Sequence, residues 1–120
     1  MMIKNSLVVM SILSLVGCVV TNMDSSNYDY VPYIKTFQKK GSIGHTNNER
    51  RKKDLYSCGV EKNTNLDDGT WKRGGAYPNE TLQQTISRAE KIEGCMEDKG
   101  YIVYGFDDCG PLKAPTGICN

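Results

Sequence analysis

Asn79-Glu80-Thr81-Leu82-Gln83-Gln84-Thr85-Ile86-Ser87-Arg88-Ala89-Glu90-Lys91-Ile92-Glu93-Gly94-Cys95-Met96-Glu97-Asp98-Lys99-Gly100-Tyr101-Ile102-Val103-Tyr104 carries two periodicities in succession. Leu82, Ile86, Ala89, Ile92 or Glu93, and Met96 recur in steps of three and four, which lines one face of a helix. Cys95 lies at the edge of that face. Asn79 is a candidate N-cap, and Glu80 places a negative charge where the helix dipole favours one. Gly94 costs about 1 kcal/mol in a helix interior, so its presence suggests close approach of another helix beside Cys95. Gly100 stops the helix at about Lys99. Tyr101 to Tyr104 are β-formers and read as a short strand, for which Tyr28–Ile34 or the residues around Thr70–Lys72 supply a partner.

Upstream, a second helix is predicted from about Asn47 to Ser57 or Cys58. Thr46-x-x-Glu49 matches a capping box, Gly59 is a natural stop, and Leu55 and Cys58 share the buried side. The run Glu49-Arg50-Arg51-Lys52-Lys53 reads as a solvated face, with a patch for anionic lipid or an acidic partner as the alternative. Residues 60–78 are rich in turn signals: Asp68-Gly69, Gly74-Gly75 and Pro78. Asn63-x-Asn65-x-Asp67-Asp68-Gly69 fails as a calcium loop, because Asp68 and Gly74 stand where an EF-hand has its Gly and Glu. An Asn-rich turn accounts for it better. Trp71, the sole Trp, reads as a cover for a small core, with a binding anchor as the functional alternative. Residues 105–120 carry three Gly and two Pro and read as an irregular tail. The fold class expected is small α+β, mainly helical: a two-helix core stapled by disulfides, a short strand and an irregular C-terminal tail.

The N-terminus has a different logic. Lys4 precedes an apolar run from Leu7 to Val16, broken only by Ser11 and Ser14, and Leu15-Val16-Gly17-Cys18 follows. A charged start, a short apolar stretch and small residues before a cleavage point form a secretory signal. The run is too short for a membrane span, which takes about 20 residues. Leu15-Val16-Gly17-Cys18 resembles the lipobox of bacterial lipoproteins. The resemblance implies a signal peptide at 1–17, a diacylglycerol on the thiol of Cys18 and an acylated amine after cleavage. Each buried methylene contributes about 0.8 kcal/mol, so two or three acyl chains make a lasting anchor where one does not. Val19 and Val20 stand where an Asp would favour the inner membrane, so the resemblance favours the outer membrane. Cys95-Met96-x-x-Lys99-Gly100-Tyr101 resembles a short stretch found in many small bacterial lipoproteins, and the chain as a whole resembles small neisserial lipoproteins, a likeness that brings no catalytic or binding residues with it.

Residues 18–45 then read as the lipidated Cys and a tether, and 46–120 as the domain. Within the tether, Tyr28-Asp29-Tyr30-Val31-Pro32-Tyr33-Ile34 is unusually aromatic. It reads as an arm docked on the domain, or as an aromatic peptide offering Tyr28, Tyr30 and Tyr33 to a partner. Pro32 argues against a central strand.

With Cys18 assigned to lipid, Cys58, Cys95, Cys109 and Cys119 remain. An even number in a small exported domain reads as a disulfide framework. Of the three pairings, Cys58–Cys95 joins the two helices and Cys109–Cys119 closes the Gly/Pro-rich tail. The spacings do not match zinc sites, and the single His45 falls in a polar stretch, which leaves no base for a Cys nucleophile. No metal or cofactor is expected.

The chain of 120 residues carries 15 Lys+Arg and 14 Asp+Glu. Removing residues 1–17 takes Lys4 and leaves a balance of zero, which excludes nucleic-acid binding through bulk charge. No G-x-S-x-G, H-E-x-x-H or P-loop is present. Gly41-Ser42-Ile43-Gly44 matches a GXXG loop without the rest of that RNA-binding module. Asp67-Asp68 and Asp107-Asp108 are neighbours in sequence, not a pair across a cleft. The expectation is a non-enzyme: a lipid-anchored envelope protein acting as an interaction or structural module. An inhibitor of a host or competitor hydrolase such as a lysozyme is the alternative, with Asn63–Pro78 and Cys109–Cys119 as its candidate loops.

Overall fold

The computed structural model describes residues 29–120. The expected signal peptide at 1–17, the expected lipidation site Cys18 and Tyr28 lie outside the described residues. The fold is a small, mainly helical α+β arrangement. A 3-10 turn at Tyr33–Thr36 leads into strand β1 (Phe37–Lys39), followed by helix α1 (Asn48–Ser57), helix α2 (Leu82–Asp98), strand β2 (Tyr101–Val103) and a helical turn α3 (Phe106–Cys109). β1 and β2 form a two-stranded antiparallel sheet in the register Phe37↔Val103, Gln38↔Ile102, Lys39↔Tyr101. The strand partner is therefore neither Tyr28–Ile34 nor Thr70–Lys72. Those expectations missed a strand of three residues, too short to show alternation.

The segment read as tether contributes to the core. Val31, Tyr33, Ile34, Thr36, Phe37 and Gln38 are all buried. The packed domain thus includes residues 31–38 and is not confined to 46–120. Ten residues, 19–28, separate Cys18 from the described part. The main cluster gathers Tyr33, Ile34 and Phe37 with Leu55, Cys58, Val60, Leu66, Ile92, Met96 and Tyr101. A second, smaller cluster holds Val31, Cys109 and Cys119.

Helix α2 bears out its apolar face at Ala89, Ile92 and Met96, but Leu82 is 75% exposed. At 1.5 Å per residue α2 is about 25 Å long and α1 about 15 Å, so the first turn of α2 has less helix to cover it. The cap is Thr81, not Asn79. Thr81 Oγ1 accepts from the Gln84 N–H at 3.1 Å, and Gln84 Oε1 accepts from the Thr81 N–H at 2.9 Å. Asn79 sits two residues earlier in a turn with φ +65°, a left-handed conformation Asn tolerates. A Cβ on Gly94 would meet nothing within 4 Å, so Gly94 does not admit a neighbouring helix.

Helix α1 is capped by Asn47, whose side chain accepts from the Arg50 N–H at 3.0 Å. Thr46 was the expected cap, but its groups are engaged elsewhere. Its hydroxyl donates to Gln38 Oε1 at 2.6 Å and accepts from the Lys39 N–H at 3.0 Å. Its backbone exchanges two 2.8 Å bonds with the Asn120 side chain. These bonds close the outer edge of β1. Lys40 N–H to Gly100 O and Tyr104 N–H to Thr36 O flank the sheet, so by antiparallel alternation Gln38↔Ile102 is the hydrogen-bonded pair and Phe37 and Lys39 point their backbone groups outward. Thr46 takes the Lys39 N–H, and Arg51 Nη1 donates to Phe37 O at 3.0 Å. An otherwise open strand edge is sealed by side chains.

The two disulfides pair Cys58 with Cys95 and Cys109 with Cys119, as expected. The first staples the ends of α1 and α2 at the main cluster. The second forms the smaller cluster itself.

Candidate functional site

The basic run on α1 does not form a patch. Arg51 is 2% exposed and donates to Phe37 O, to Asn120 O at 2.7 Å and to Asn48 Oδ1 at 3.0 Å. Its Nε–H is buried without a partner, and burial lowers its affinity for the proton. Lys52 bridges Glu49 at 2.9 Å and Asp67 at 3.1 Å, and Arg50 lies 3.4 Å from Asp54. The reading as a solvated face holds for Arg50 and Lys53 but not for Arg51, which is an internal hydrogen-bond donor. The composition of the run could not distinguish these roles.

The aromatic candidates separate in the same way. Trp71 is half-buried, stacked on Phe37 with ring centroids 5.9 Å apart and tilted against Tyr33 at 4.5 Å. It covers the core. Tyr33 is buried, and its hydroxyl donates to Glu93 Oε2 at 2.5 Å. Burial first, then that hydrogen bond, pushes the Tyr33 hydroxyl well above its ordinary pKa. Arg73 grips the same carboxylate with two bonds, 3.0 and 3.2 Å, which fastens the loop carrying Trp71 to α2. Tyr30 is 42% exposed; its ring lies 5.8 Å from Phe106 and its hydroxyl 3.4 Å from Asp107.

The loop at 63–70 is held by Asx turns: Asn65 Oδ1 accepts from the Asp67 N–H at 2.8 Å, and Asp68 Oδ1 accepts from the Thr70 N–H at 3.0 Å and from its hydroxyl at 2.6 Å. At its far end Arg88 lies over the Tyr77 ring, 3.8 Å from the centroid. Arg88 also binds both oxygens of Glu80, at 2.7 and 3.0 Å. The hydrogen bonds of Arg88, then that of Thr85, hold the Glu80 carboxyl down to about 2. His45 is exposed in the turn between β1 and α1. Among the described residues no group of three His, Cys, Asp or Glu is placed to hold a metal ion.

A groove of about 550 Å³ lies among these residues. Its lining comes from the segment 29–33, from Gly69 and the 72–74 loop, and from Phe106 and Leu112. Tyr30 pairs with Pro111 as an isolated bridge, and the Leu112 N–H donates to Asp29 O at 2.6 Å. The described chain therefore begins in the wall of the groove. The volume suits a small ligand or an inserted side chain, and the lining offers apolar contact with the Lys72 ammonium, which has no partner among the described residues, beside Arg73, which is held by Glu93. The aromatic run at 28–34 pointed towards this place. Phe106 and Leu112 carried no signal, because a groove assembled from three loops has no periodicity. Comparison with protein-family models, curated proteins and solved structures finds no match to the chain.

Proposed function

We propose that this chain is a bacterial envelope lipoprotein, anchored through acyl chains on Cys18, whose domain is an interaction module rather than an enzyme. The observation that carries the reading is Leu15-Val16-Gly17-Cys18 at the end of an apolar run, ten residues before the described domain. The Cys58–Cys95 and Cys109–Cys119 bonds support it, because disulfides persist in oxidising compartments outside the cytoplasm. Val19 and Val20 favour the outer membrane. The partners are the membrane, through the lipid, and an envelope protein; nucleic acid is not among them. Labelled palmitate should enter the wild-type chain and not Cys18→Ala; equal incorporation in both refutes the anchor. In-cell crosslinking and pull-down of the anchored form should recover one envelope protein, and recovery of none refutes the protein partner.

The 63–78 loop favours a second reading, inhibition of a hydrolase such as a lysozyme. It is held rigidly by its Asx turns, by Trp71 on the core and by Arg73 on Glu93, and a rigid loop loses little entropy on binding. A panel of hydrolases decides it: stoichiometric inhibition by the purified protein supports the reading, and full activity of every enzyme removes it.

A further inference from the structure

Of the three exposed large hydrophobic residues among those described, Tyr30 and Leu112 both line the groove and Leu82 lies elsewhere. Tyr30 is 42% and Leu112 54% exposed. Lys72, whose ammonium has no partner among the described residues, lines the same groove. The third feature of this edge is the chain itself: Asp29, the first described residue, is held there by Leu112.

We infer that this edge faces the bilayer, with Leu112 and Tyr30 among the lipid headgroups and the Lys72 ammonium on a lipid phosphate. The inference rests on the anchor proposed at Cys18. From Cys18 to Asp29 is eleven residues, a reach of at most ~40 Å, so the edge stays close to the surface that holds the lipid. Tyrosine suits the site, having an apolar body and a polar tip, and is enriched at membrane–water interfaces. Asp29 and Asp107 stand near Lys72 and Tyr30, so apolar insertion carries the contact and the phosphate orients it. A patch this small would bind membranes weakly in a free protein. Attachment makes the contact intramolecular, at an effective concentration in the millimolar range, where weak binding is enough.

The test uses the mature protein purified from bacterial membranes, placed in nanodiscs of phosphatidylethanolamine and phosphatidylglycerol with a gadolinium-chelating headgroup lipid. Mass spectrometry of Cys18 is read alongside NMR line broadening. The expected result is acylated Cys18 and broadening at Leu112 and Tyr30 several-fold greater than at Leu82, an exposed apolar residue off this edge. In Leu112→Glu, whose side chain is already exposed, the excess at Tyr30 should disappear with the fold and the acylation intact. Acylated protein with equal broadening at Leu82, or with its maximum elsewhere, overturns the orientation and leaves the anchor standing. Unmodified Cys18 overturns both. Shifts at Tyr30 and Leu112 that grow with protein concentration rather than with lipid assign the edge to a second copy and overturn the proposal.

Discussion

Arg51→Met tests whether the buried arginine holds the sheet edge. The substitution keeps an unbranched side chain and removes three hydrogen bonds. Their loss is unequal. Asn48 is exposed, so its Oδ1 turns to water. Asn120 O keeps Gln38 Nε2 at 3.2 Å. Phe37 O, on a residue with 0% exposure, points away from β2 and loses the donor that satisfies it. A buried acceptor left unpaired costs about 1–3 kcal/mol. The gain in the other direction is relief of a desolvated guanidinium whose Nε–H is already without a partner, and replacing buried charge by apolar volume can be neutral or favourable. Because three of the bonds are charge-assisted, the loss should win by about 2 kcal/mol. With a slope of about 1 kcal/mol per molar urea, the unfolding midpoint falls by about 2 M. Lys53→Met, on an exposed neighbour, should stay within about 0.5 kcal/mol. Urea unfolding followed by circular dichroism, with the disulfides intact, measures both. Equal midpoints for Arg51→Met and wild type would refute the assignment of Arg51 to the strand edge.

Replacing Cys58 and Cys95 together by Ala removes a link spanning 37 residues; the chain-entropy model gives a loss of about 4 kcal/mol, to be read as a lowered urea midpoint. That approaches the whole stability of a small domain. Gly94→Ala adds a methyl to an exposed helix position with open space around it, and calorimetry should show a gain of about 0.5–1 kcal/mol. Glu80 is held at about 2 in the fold against an ordinary value of 4.5. Its contribution is therefore present above about pH 4.5 and is lost as pH falls towards 2. Melting temperatures of wild type and Glu80→Gln should differ at pH 6 and converge on acidification; a constant gap would exclude the carboxylate as the cause.

Much of the fold was legible because it obeys local rules. Ala89, Ile92 and Met96 mark the buried face of α2, Gly100 ends it, Tyr101–Val103 form a strand, and the two bridges join the predicted helices and close the tail, one of the three pairings that four Cys allow. The misses have a common cause: a residue's local use lost to a distant one. Thr46 fits a capping box, yet its hydroxyl is worth more between the buried Gln38 side chain and the half-buried Lys39 N–H. Arg51 sits in a charged run, yet only it reaches the Phe37 carbonyl. Residues 31–39 lack any period because they change from a 3-10 turn to a strand within seven residues. The groove was only partly visible. Tyr30 and Tyr33, aromatic residues out of place in a polar stretch, both line it, whereas Trp71, as conspicuous in the sequence, covers the core instead; whether each ring binds or covers depends on neighbours that no spacing specifies.

The two disulfides divide the molecule's tasks. Cys58–Cys95 lies in the cluster formed by the two long helices and the sheet, where Leu55, Ile92 and Met96 supply the apolar burial. Cys109–Cys119 supports only Val31 with Tyr104 and Ile118 beside it, too little apolar surface to hold a tail of Gly and Pro by burial alone. That tail carries Pro111 and Leu112, which pair with Tyr30 and Asp29. The second bridge therefore orders that side of the groove around Asp29 and Tyr30. Stability and presentation rest on separate staples, so variants in the main cluster and variants in the groove wall act on different properties: the first on the free energy of unfolding, the second on the surface that the groove presents.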